Sequence, residues 1–493
     1  MIQGAVDSIL TLDIGSSSVR ALLFGLDGHE IPGFEARVPY QASTSESGGW
    51  EIDAAKLIEA AAQTLDKIHL QIEAKGMRPA AVGIDTFWHS ILGVSAGGKP
   101  VTPVLHPFDS RSADAAKKLA QRIDNDRQHS RTGCVLHPSY PPAKLLWLFE
   151  TQPETFRAAQ RWMSFGEYLF LELFGTASCS TSMISASGLW NQNANEYDRE
   201  ILEALPVKPG QFAPVDAMDQ EQTKLSPAFA ARWPQLDGIP WFPALGDGAC
   251  DNVGSGCTKR DRYALMVGTS GAIRASERAD SIAIPSGLFC YRLDRKRFVL
   301  GGALSNGGEV FAWMRKTLQL PPADELERQL AQLPPDMHGL TILPLFAGER
   351  STGWRVDARA AITGLAASTT PLQILHAALQ SVVLRFRNVY DLMTASLGVP
   401  QEVIASGGGL LHSPSWTKMM ADGLPHRVTP CLEPEATSRG AALMALEKIG
   451  AIRDIGDLAP RLGTAVIPDE SNKQRYDAAL EQQHRLYNKL FPA

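Results

Sequence analysis

Residues 8–24 read SILTLDIGSSSVRALLF, two β-rich runs on either side of Gly15-Ser16-Ser17-Ser18. This pattern predicts a β-hairpin, two strands joined by a tight turn. Asp13 lies directly before the loop of small residues, whose backbone N–H groups can approach an oxyanion. A carboxylate beside such a loop can hold Mg²⁺ near a phosphate. A plain hairpin turn with Asp as turn former explains the same residues, so this stretch indicates the fold before it indicates a function.

The segment after the hairpin alternates helical and strand patterns. Asp53 caps a predicted helix whose apolar residues recur at helical spacing as far as Ile72, and Gly76 ends it. A short buried strand, residues 80–84, then ends on Asp85. Alternation of strands and helices indicates an α/β architecture.

A second hairpin is predicted far downstream, over residues 263–276. Both turns contain Gly, then Ser or Thr residues, and then an arginine, which is Arg20 in the first hairpin and Arg274 in the second. This internal echo predicts a duplicated domain with two facing hairpin loops. A long helix follows, capped by Thr370 and ended by Gly398.

The bulk properties of the chain restrict its class. Its 493 residues are too many for one ordinary core and predict two domains, which we place at 1–254 and 255–493. The net charge of -6 and the lack of a Lys/Arg run argue against a nucleic-acid partner. No signal-peptide pattern and no bilayer-length apolar run occur, so we expect a cytoplasmic protein without a membrane partner. The six scattered cysteines form no CxxC pair and indicate buried free thiols.

Two further segments end in candidate site residues. An apolar run leads into Gly-Asp247-Gly, and an Asp at the end of a buried strand can take a proton from a substrate hydroxyl. The alternative for such an Asp is a helix N-cap, which we expect for Asp251. A predicted strand also enters Gly407-Gly408-Gly409, on which a flat ring or a phosphate can pack, and Ser413 begins the next helix. No GxxxxGK[ST] motif is present, which excludes a P-loop enzyme.

Two longer motifs carry a family resemblance. One is Ser139-Tyr-Pro-Pro-Ala-Lys144-Leu-Leu-Trp147; the other is Ala360-Ala-Ile-Thr-Gly-Leu365 followed by residues 373–380. On these motifs the chain resembles the FGGY carbohydrate kinases, a branch of the actin/hexokinase/Hsp70 superfamily. The resemblance implies two RNase H-like α/β domains with the active site in the cleft between them. It implies a sugar-binding N-terminal domain that carries the catalytic base, a nucleotide-binding C-terminal domain, and ATP and Mg²⁺ as cofactors.

Other segments resemble those of gluconokinases within this family, namely Trp88-His89-Ser90, residues 132–138 and Gly348-Glu349-Arg350. This resemblance implies ATP-dependent phosphorylation of a sugar acid, gluconate to 6-phosphogluconate. Pro107 and Ser180 depart from the family pattern and leave another small acceptor open, such as xylulose, ribulose or a tetritol. A non-catalytic, nucleotide-gated sugar-binding protein is the remaining alternative.

The resemblance assigns roles to matching positions. Asp247 would be the catalytic base and, with Asp13, would hold Mg²⁺. Nucleotide-binding positions would be Gly15, Ser16, Ser17, Arg20, Gly268, Thr269, Gly407, Gly408, Gly409 and Ser413. Sugar-binding positions would be Trp88, His89, Asp109, Arg111 and Ser139. Arg111 or Lys144 would neutralise a substrate carboxylate or else form a surface salt bridge, and a homodimer stays open.

Overall fold

Two sheets of related topology form the framework of residues 8–492, the part of the chain that this computed structural model describes. Residues 1–7, to which much of the signal-peptide argument applies, lie outside the described part. The N-terminal half (residues 8–254) and the C-terminal half (residues 255–492) each contribute one sheet.

The elements of the N-terminal half alternate as an α/β pattern predicts. Its strands are β1 (Ser8–Ile14), β2 (Ser18–Gly25), β3 (Glu30–Pro39), β4 (Ser43–Thr44), β5 (Trp50–Ile52), β6 (Ala81–Thr86), β7 (Leu92–Val94), β8 (Val104–Leu105), β9 (Arg161–Met163), β10 (Trp190–Asn191), β11 (Glu196–Tyr197) and β12 (Leu245–Gly246). Its helices are α1 (Ala54–Ala74), α2 (Ala113–Ala120), α3 (Asn125–Thr132), α4 (Pro141–Thr151), α5 (Pro153–Ala158), α6 (Phe165–Phe174), α7 (Thr181–Ser185), α8 (Arg199–Glu203), α9 (Pro227–Arg232) and α10 (Asp247–Gly254).

The C-terminal half continues the same numbering. Its strands are β13 (Arg262–Val267), β14 (Gly271–Arg278), β15 (Phe289–Asp294), β16 (Arg297–Leu304), β17 (Thr341–Leu343), β18 (Ala361–Thr363), β19 (Glu402–Ser406) and β20 (Val428–Pro430). Its helices are α11 (Gly308–Thr317), α12 (Ala323–Leu330), α13 (Pro371–Leu397), α14 (Gly408–Leu411), α15 (Pro414–Gly423), α16 (Ala436–Lys448) and α17 (Lys473–Leu490).

The two sheets share one strand order. In the N-terminal half it is β3-β2-β1-β6-β12, with β1 antiparallel to β2 and parallel to β6. In the C-terminal half it is β16-β14-β13-β19-β20, extended by β15 at the β16 edge, with β13 antiparallel to β14 and parallel to β19. The duplication that the two hairpins predict is confirmed.

The register of the hairpins corrects one detail of the predicted echo. Arg20 lies opposite Asp13 on β1, and the residue in the same place of the second hairpin is Ala272, opposite Met266. Arg274 lies two residues further along its strand. The two arginines therefore do not occupy equivalent positions, although both lie on the return strand.

The predicted helices form where their caps place them. The side chain of Asp53 accepts a hydrogen bond from the Lys56 N–H at the start of α1. Thr370 and Gln373 form a reciprocal capping box at the start of α13, and Gly398 ends that helix. Each helix lies in the crossover between the hairpin and the parallel strand of its own sheet, so both expectations are confirmed.

The halves interlock through α10 and α16, whose backbones meet at two glycines. A Cβ on Gly254 would lie 1.7 Å from the Ala436 carbonyl oxygen, and a Cβ on Gly440 would lie 1.9 Å from that of Cys250. Helix α16 also packs on β1 and β6. Through this contact the C-terminal half supports β1, which carries Asp13, and β6, which carries Asp85.

Two other expectations concern single features. The six cysteines, all of them within the described residues, are buried and form no disulfide, as the sequence predicts. None of the helices in residues 8–492 has the length and apolar character that crossing a membrane requires.

Candidate active site

A cavity of about 1810 Å³ opens between the two halves and is lined by residues of both. The structure brings most of the predicted site residues together there. Those that line the cavity are Ser16, Arg20, Trp88, His89, Asp109, Ser139, Asp247, Gly268, Thr269, Gly407 and Gly408. Those that do not are Asp13, Gly15, Ser17, Arg111, Gly409 and Ser413.

Asp247 is the first residue of α10, directly after β12. One carboxylate oxygen, Oδ1, accepts a hydrogen bond of 2.7 Å from the Gly248 N–H, which leaves Oδ2 for a ligand. Burial, together with Asp13 and Asp251, outweighs this bond and Arg274 and raises the pKa of Asp247 to about 6. A carboxylate with a raised pKa is a better proton acceptor than an ordinary one.

The glycines on either side of Asp247 pack against the ring of Trp88. A Cβ on Gly246 would lie 1.8 Å from Nε1 of Trp88, and a Cβ on Gly248 would lie 2.6 Å from the same ring. The indole is fixed by its N–H, which donates to the Ser182 carbonyl at 3.0 Å. The Gly-Asp-Gly sequence is therefore required by the close approach of Trp88.

Asp251 corrects a sequence expectation. It was expected to cap a helix, but α10 begins at Asp247, and Asp251 lies one turn inside it. Its carboxylate accepts a hydrogen bond of 3.0 Å from Arg274 of the C-terminal half. The N-cap expectation is wrong because the helix begins at Asp247, five residues earlier than a cap at Asp251 would require.

Asp13 is nearly fully buried behind Arg20. The guanidinium donates to Asp13 at 2.6 Å and, from its other nitrogen, to Glu435 at 2.5 Å. Glu435 directly precedes α16, so this arginine joins the two halves at the edge of the cavity. Of the three, Asp13 and Arg20 were expected at the site and Glu435 was not, because nothing in the sequence pattern links Glu435 to the first hairpin.

Asp85 lies beside Asp13 on the neighbouring strand and was noted only as a strand end. It is fully buried, and neither of its carboxylate oxygens has a hydrogen-bond partner. Burial, then the charges of Asp13 and Asp247, raise its pKa well above the ordinary value. Three carboxylates therefore converge at the ends of β1, β6 and β12.

The second hairpin loop presents hydrogen-bond donors to the cavity. The carbonyl of Gly268 accepts from the Gly308 N–H at 2.7 Å, and that of Thr269 accepts from the Gly307 N–H at 3.0 Å. With its carbonyl groups engaged by the start of α11, the loop has its N–H groups and the Thr269 hydroxyl left for an anion.

The predicted glycine loop is a short helix rather than an open loop. Gly407 has φ of 84°, and α14 begins at the next residue. A Cβ on Gly409 would lie 2.8 Å from the Val267 carbonyl, whereas one on Gly408 would meet only the His412 ring at 3.4 Å. Ser413 caps α15 and donates to Glu327. Gly407 and Gly408 therefore remain beside the cavity, while Gly409 and Ser413 serve local packing.

Two neutral histidines form the wall beside Trp88. Burial lowers the pKa of His89 and of His137 to about 3 each. The Nδ1 of His89 lies 2.6 Å from the Ala186 carbonyl and must donate to it, so Nε2 is an acceptor. The Nδ1 of His137 accepts from the Ser139 N–H at 3.2 Å, so its Nε2 carries the hydrogen. One ring can therefore accept from a sugar hydroxyl while the other donates.

The predicted carboxylate-binding residues have other partners. Arg111 pairs with Asp109 and Glu51 and stacks on Trp147, as the salt-bridge alternative predicts. Lys144 fits neither alternative, because it is buried and its ammonium donates to backbone carbonyls of three segments. These are the carbonyls of His89, His106 and Ser139, at 3.4, 2.8 and 2.9 Å. Both residues therefore hold the sugar-side wall together rather than face the cavity.

Arg350 lines the cavity and had no assigned role. It lies with Tyr140 and Tyr291, whose hydroxyl oxygens are 2.6 Å apart, and with Trp354. The resemblance of residues 348–350 to gluconokinases was the only sequence signal for it. Tyr140 lies in the first family motif, but its pairing with Tyr291 of the other half gave no signal, because a contact between distant residues cannot be read from a single sequence.

The residues present fit a Mg²⁺ ion that arrives with a nucleotide. Within residues 8–492 no three acidic, His or Cys side chains are arranged to hold a metal by themselves. Mg²⁺ commonly keeps several waters and binds one or two carboxylates together with substrate phosphates. Asp13 and Asp247 would supply those carboxylates, and Asp85 lies beside them with both carboxylate oxygens unpartnered.

Family models match both halves of this chain. The N-terminal domain of the FGGY family of carbohydrate kinases matches residues 8–254, and the C-terminal domain of that family matches residues 263–447. This chain belongs to the FGGY family of carbohydrate kinases. It is therefore an ATP-dependent sugar kinase, and the non-catalytic alternative falls away.

Relatives of this FGGY kinase differ in their acceptors. Gluconokinase from Bacillus subtilis (strain 168) is 27% identical over 481 residues, covering 95% of this chain and 93% of the relative. Glycerol kinase 1 from Pseudomonas aeruginosa is 26% identical over 467 residues, covering 92% of each chain. The crystal structure of gluconate kinase from Lactobacillus acidophilus has a TM-score of 0.91 at 23% identity and 99% coverage of both chains. It confirms the two-domain actin/hexokinase-like fold of this FGGY kinase.

Proposed function

We propose that this FGGY kinase transfers the γ-phosphoryl group of ATP to gluconate, giving 6-phosphogluconate and ADP. The observation that carries the proposal is the position of Asp247. It faces the cavity between a sugar-side wall of Trp88 and His89 and a donor loop of Gly268 and Thr269. Phosphoryl transfer needs this arrangement, in which a base orients the attacking oxygen while donors surround the transferred group.

The chemistry proceeds by positioning and charge stabilisation. Oδ2 of Asp247 accepts the proton of the acceptor hydroxyl as that oxygen attacks the γ-phosphorus, and the bond to the ADP oxygen breaks. The N–H groups of the two hairpin loops and the Thr269 hydroxyl stabilise the charge on the phosphoryl oxygens. Asp13, through water, and Asp247 would hold Mg²⁺, which neutralises phosphate charge when bound. Gly407 and Gly408 would lie against the adenosine.

The acceptor is assigned on two grounds. The gluconokinase relative covers nearly the whole chain, and the sugar-side wall offers one acceptor and one donor nitrogen to a chain of hydroxyls, on His89 and His137. Another small sugar or polyol is the second candidate. It is favoured by the glycerol kinase relative and by Pro107, which lines the cavity and departs from the family pattern.

Asp247→Asn tests the assignment of the base. We expect turnover with gluconate to fall by about 10³-fold or more, because the amide cannot accept the hydroxyl proton. ATP binding, measured by calorimetry, should persist. Asp251→Asn is the comparison variant, because it removes a neighbouring carboxylate that is already engaged by Arg274. Turnover of the Asp247 variant near that of the wild type would contradict the base.

ADP release over a panel of acceptors tests the substrate. We expect the highest kcat/KM with gluconate among gluconate, xylulose, ribulose, glycerol and erythritol. A preference for one of the neutral acceptors would replace gluconate with the second candidate and leave the kinase reaction in place.

A further inference from the structure

Arg350 is held at the cavity by a well-anchored loop. The Ser351 N–H donates to the Ala303 carbonyl at 2.9 Å, and the Asn306 side chain donates to the Gly348 carbonyl at 3.2 Å. Glu349, which also lines the cavity, is buried and its charge is paired with the buried Arg385. The side chain of Arg350 is therefore presented to the cavity by fixed neighbours on both sides.

The charge of Arg350 is not neutralised by the protein. Across residues 8–492 it takes part in no ion pair, and its hydrogen bond to the protein is from Nη2 to the Leu304 carbonyl at 2.8 Å. Two other cavity arginines differ, since Arg20 is paired with two carboxylates and Arg274 with one. A guanidinium remains charged at any ordinary pH, so its unused donors favour an anion.

The surroundings of Arg350 indicate which anion. It lies at the sugar-side end of the cavity, among aromatic rings and the neutral histidines. Burial is the main cause of the lowered pKa of His89 and His137, and the charge of Arg350 lowers the pKa of both further. The donor groups suited to phosphate lie elsewhere, in the hairpin loops at Ser16 and at Gly268 and Thr269. A carboxylate on the acceptor would match both the planar guanidinium and the location.

We propose that Arg350 binds the carboxylate of the acceptor and thereby selects sugar acids over neutral sugars and polyols. This inference rests on the proposed function and identifies Arg350 as the residue that determines the class of acceptor. The carboxylate takes the free N–H groups of Arg350, while the hydroxyls further along the chain reach the two histidines and Asp247. A neutral acceptor would leave the guanidinium without an anion in a partly buried site, which disfavours its binding.

The test compares gluconate with gluconamide, which has the same carbon chain and hydroxyls but no charge. For Arg350→Met we expect KM for gluconate to rise between about 10- and 100-fold, the range of a hydrogen bond to a charged group. KM for gluconamide and for ATP should change little, so the discrimination between the two acceptors falls. Arg350→Lys keeps the charge without the planar pair of donors and should lie between the wild type and Arg350→Met.

Arg359→Met is the matched control, because Arg359 also lines the cavity but is exposed and bonds only to backbone carbonyls. It should leave the ratio of gluconate to gluconamide unchanged. Thermal unfolding of each variant shows whether it is folded before kinetics are compared. Equal losses with gluconate and gluconamide in Arg350→Met, or a rise in KM for ATP alone, would overturn the inference.

The failure of this inference differs from the failure of the proposed function. If the wild type phosphorylates gluconate and Arg350→Met still discriminates gluconate from gluconamide, the proposed function stands and the proposed role of Arg350 is wrong. If the wild type prefers another sugar acid, gluconate is wrong, and the same comparison is made with that acid and its amide. If the wild type uses neutral acceptors alone, both proposals are overturned.

Discussion

Equivalent strand ends in the two halves carry different side chains. Two residues before the loop glycine stand Asp13 in the first hairpin and Met266 in the second. Their partners across the parallel strand are Asp85 and Ser406. This pair of equivalent positions thus holds two acids in the N-terminal half and two uncharged residues in the C-terminal half. The fold fixes where each loop lies, and the side chains at the strand ends decide whether it favours a cation or only an anion.

The arginines of the two hairpins show a second difference. Arg20 of the N-terminal half pairs with Glu435 of the C-terminal half, and Arg274 of the C-terminal half pairs with Asp251 of the N-terminal half. The first pair is partly open to solvent, with about a quarter of each side chain exposed. The second pair is largely buried, at 6% and 12%. The two connections between the halves should therefore differ in strength.

Loss of the buried connection should have the largest effect on stability. Arg274→Met leaves Asp251 without its cation, and we expect the free energy of unfolding to fall by about 3–5 kcal/mol. Glu435→Gln should cost about 1 kcal/mol, because this pair is partly exposed and Arg20 stays paired with Asp13. Urea unfolding of both variants measures the difference.

The double variant Arg274→Met, Asp251→Asn is the control for this comparison. Removing both charges should recover much of the lost stability, since the cost comes from the uncompensated carboxylate. If Glu435→Gln destabilises the protein as much as Arg274→Met does, the predicted difference between the two connections is wrong.

Substitution of Asp13 in the first hairpin should lower turnover, whereas substitution of the equivalent Met266 in the second hairpin should not. Asp13→Asn keeps the shape but removes a charge that we assign to the Mg²⁺ site, and we expect turnover to fall by about 100-fold. Met266→Leu at the equivalent position, which also lines the cavity but carries no charge, should stay near the wild type because the substitution conserves volume. The concentration of Mg²⁺ that gives half-maximal turnover should rise in Asp13→Asn alone. Similar losses in both variants would indicate a general disturbance of the strand ends.

Local patterns in the sequence were sufficient for the framework. The hairpin pattern around Gly15 and around Gly268 gave the duplication, and Asp53 and Thr370 gave the starts of two helices, because caps and turns depend on neighbouring residues. The family motifs then placed Asp247 in the cleft. Each of these inferences needs only residues close together in the chain.

Contacts between distant segments could not be predicted. Nothing local to Lys144 indicates that three carbonyls surround it, and nothing near Asp251 indicates that Arg274 will face it. The register of the second hairpin was also beyond reach, because the two loops differ in length by one residue. The N-cap expected at Asp251 failed for a related reason, since the strand end that starts α10 is fixed by its pairing with β6.

The smallest predicted effect concerns Asp85 and Ser406, which lie across the parallel strands from Asp13 and Met266. Asp85 and Ser406 are both buried with unpartnered oxygens, but one of them is an acid. In buffer with EDTA at pH 8 we expect Asp85→Asn to raise the free energy of unfolding by about 1–2 kcal/mol, because an unpaired carboxylate is costly to bury. Ser406→Ala should change it by less than about 1 kcal/mol, since a neutral hydroxyl loses less on burial.

The dependence on pH separates the charge of Asp85 from simple packing. Asp13 on β1, Asp247 on α10 and Arg20 on β2 face this carboxyl, and burial with the two acids raises its pKa. The folded protein therefore binds the proton more tightly than the unfolded chain, whose Asp titrates near about 3.9. As the pH rises through this range the unfolded state loses its proton first, so the wild type loses stability. The gain from Asp85→Asn should thus be small at pH 4 and full at pH 8, whereas a gain equal at both would trace it to packing.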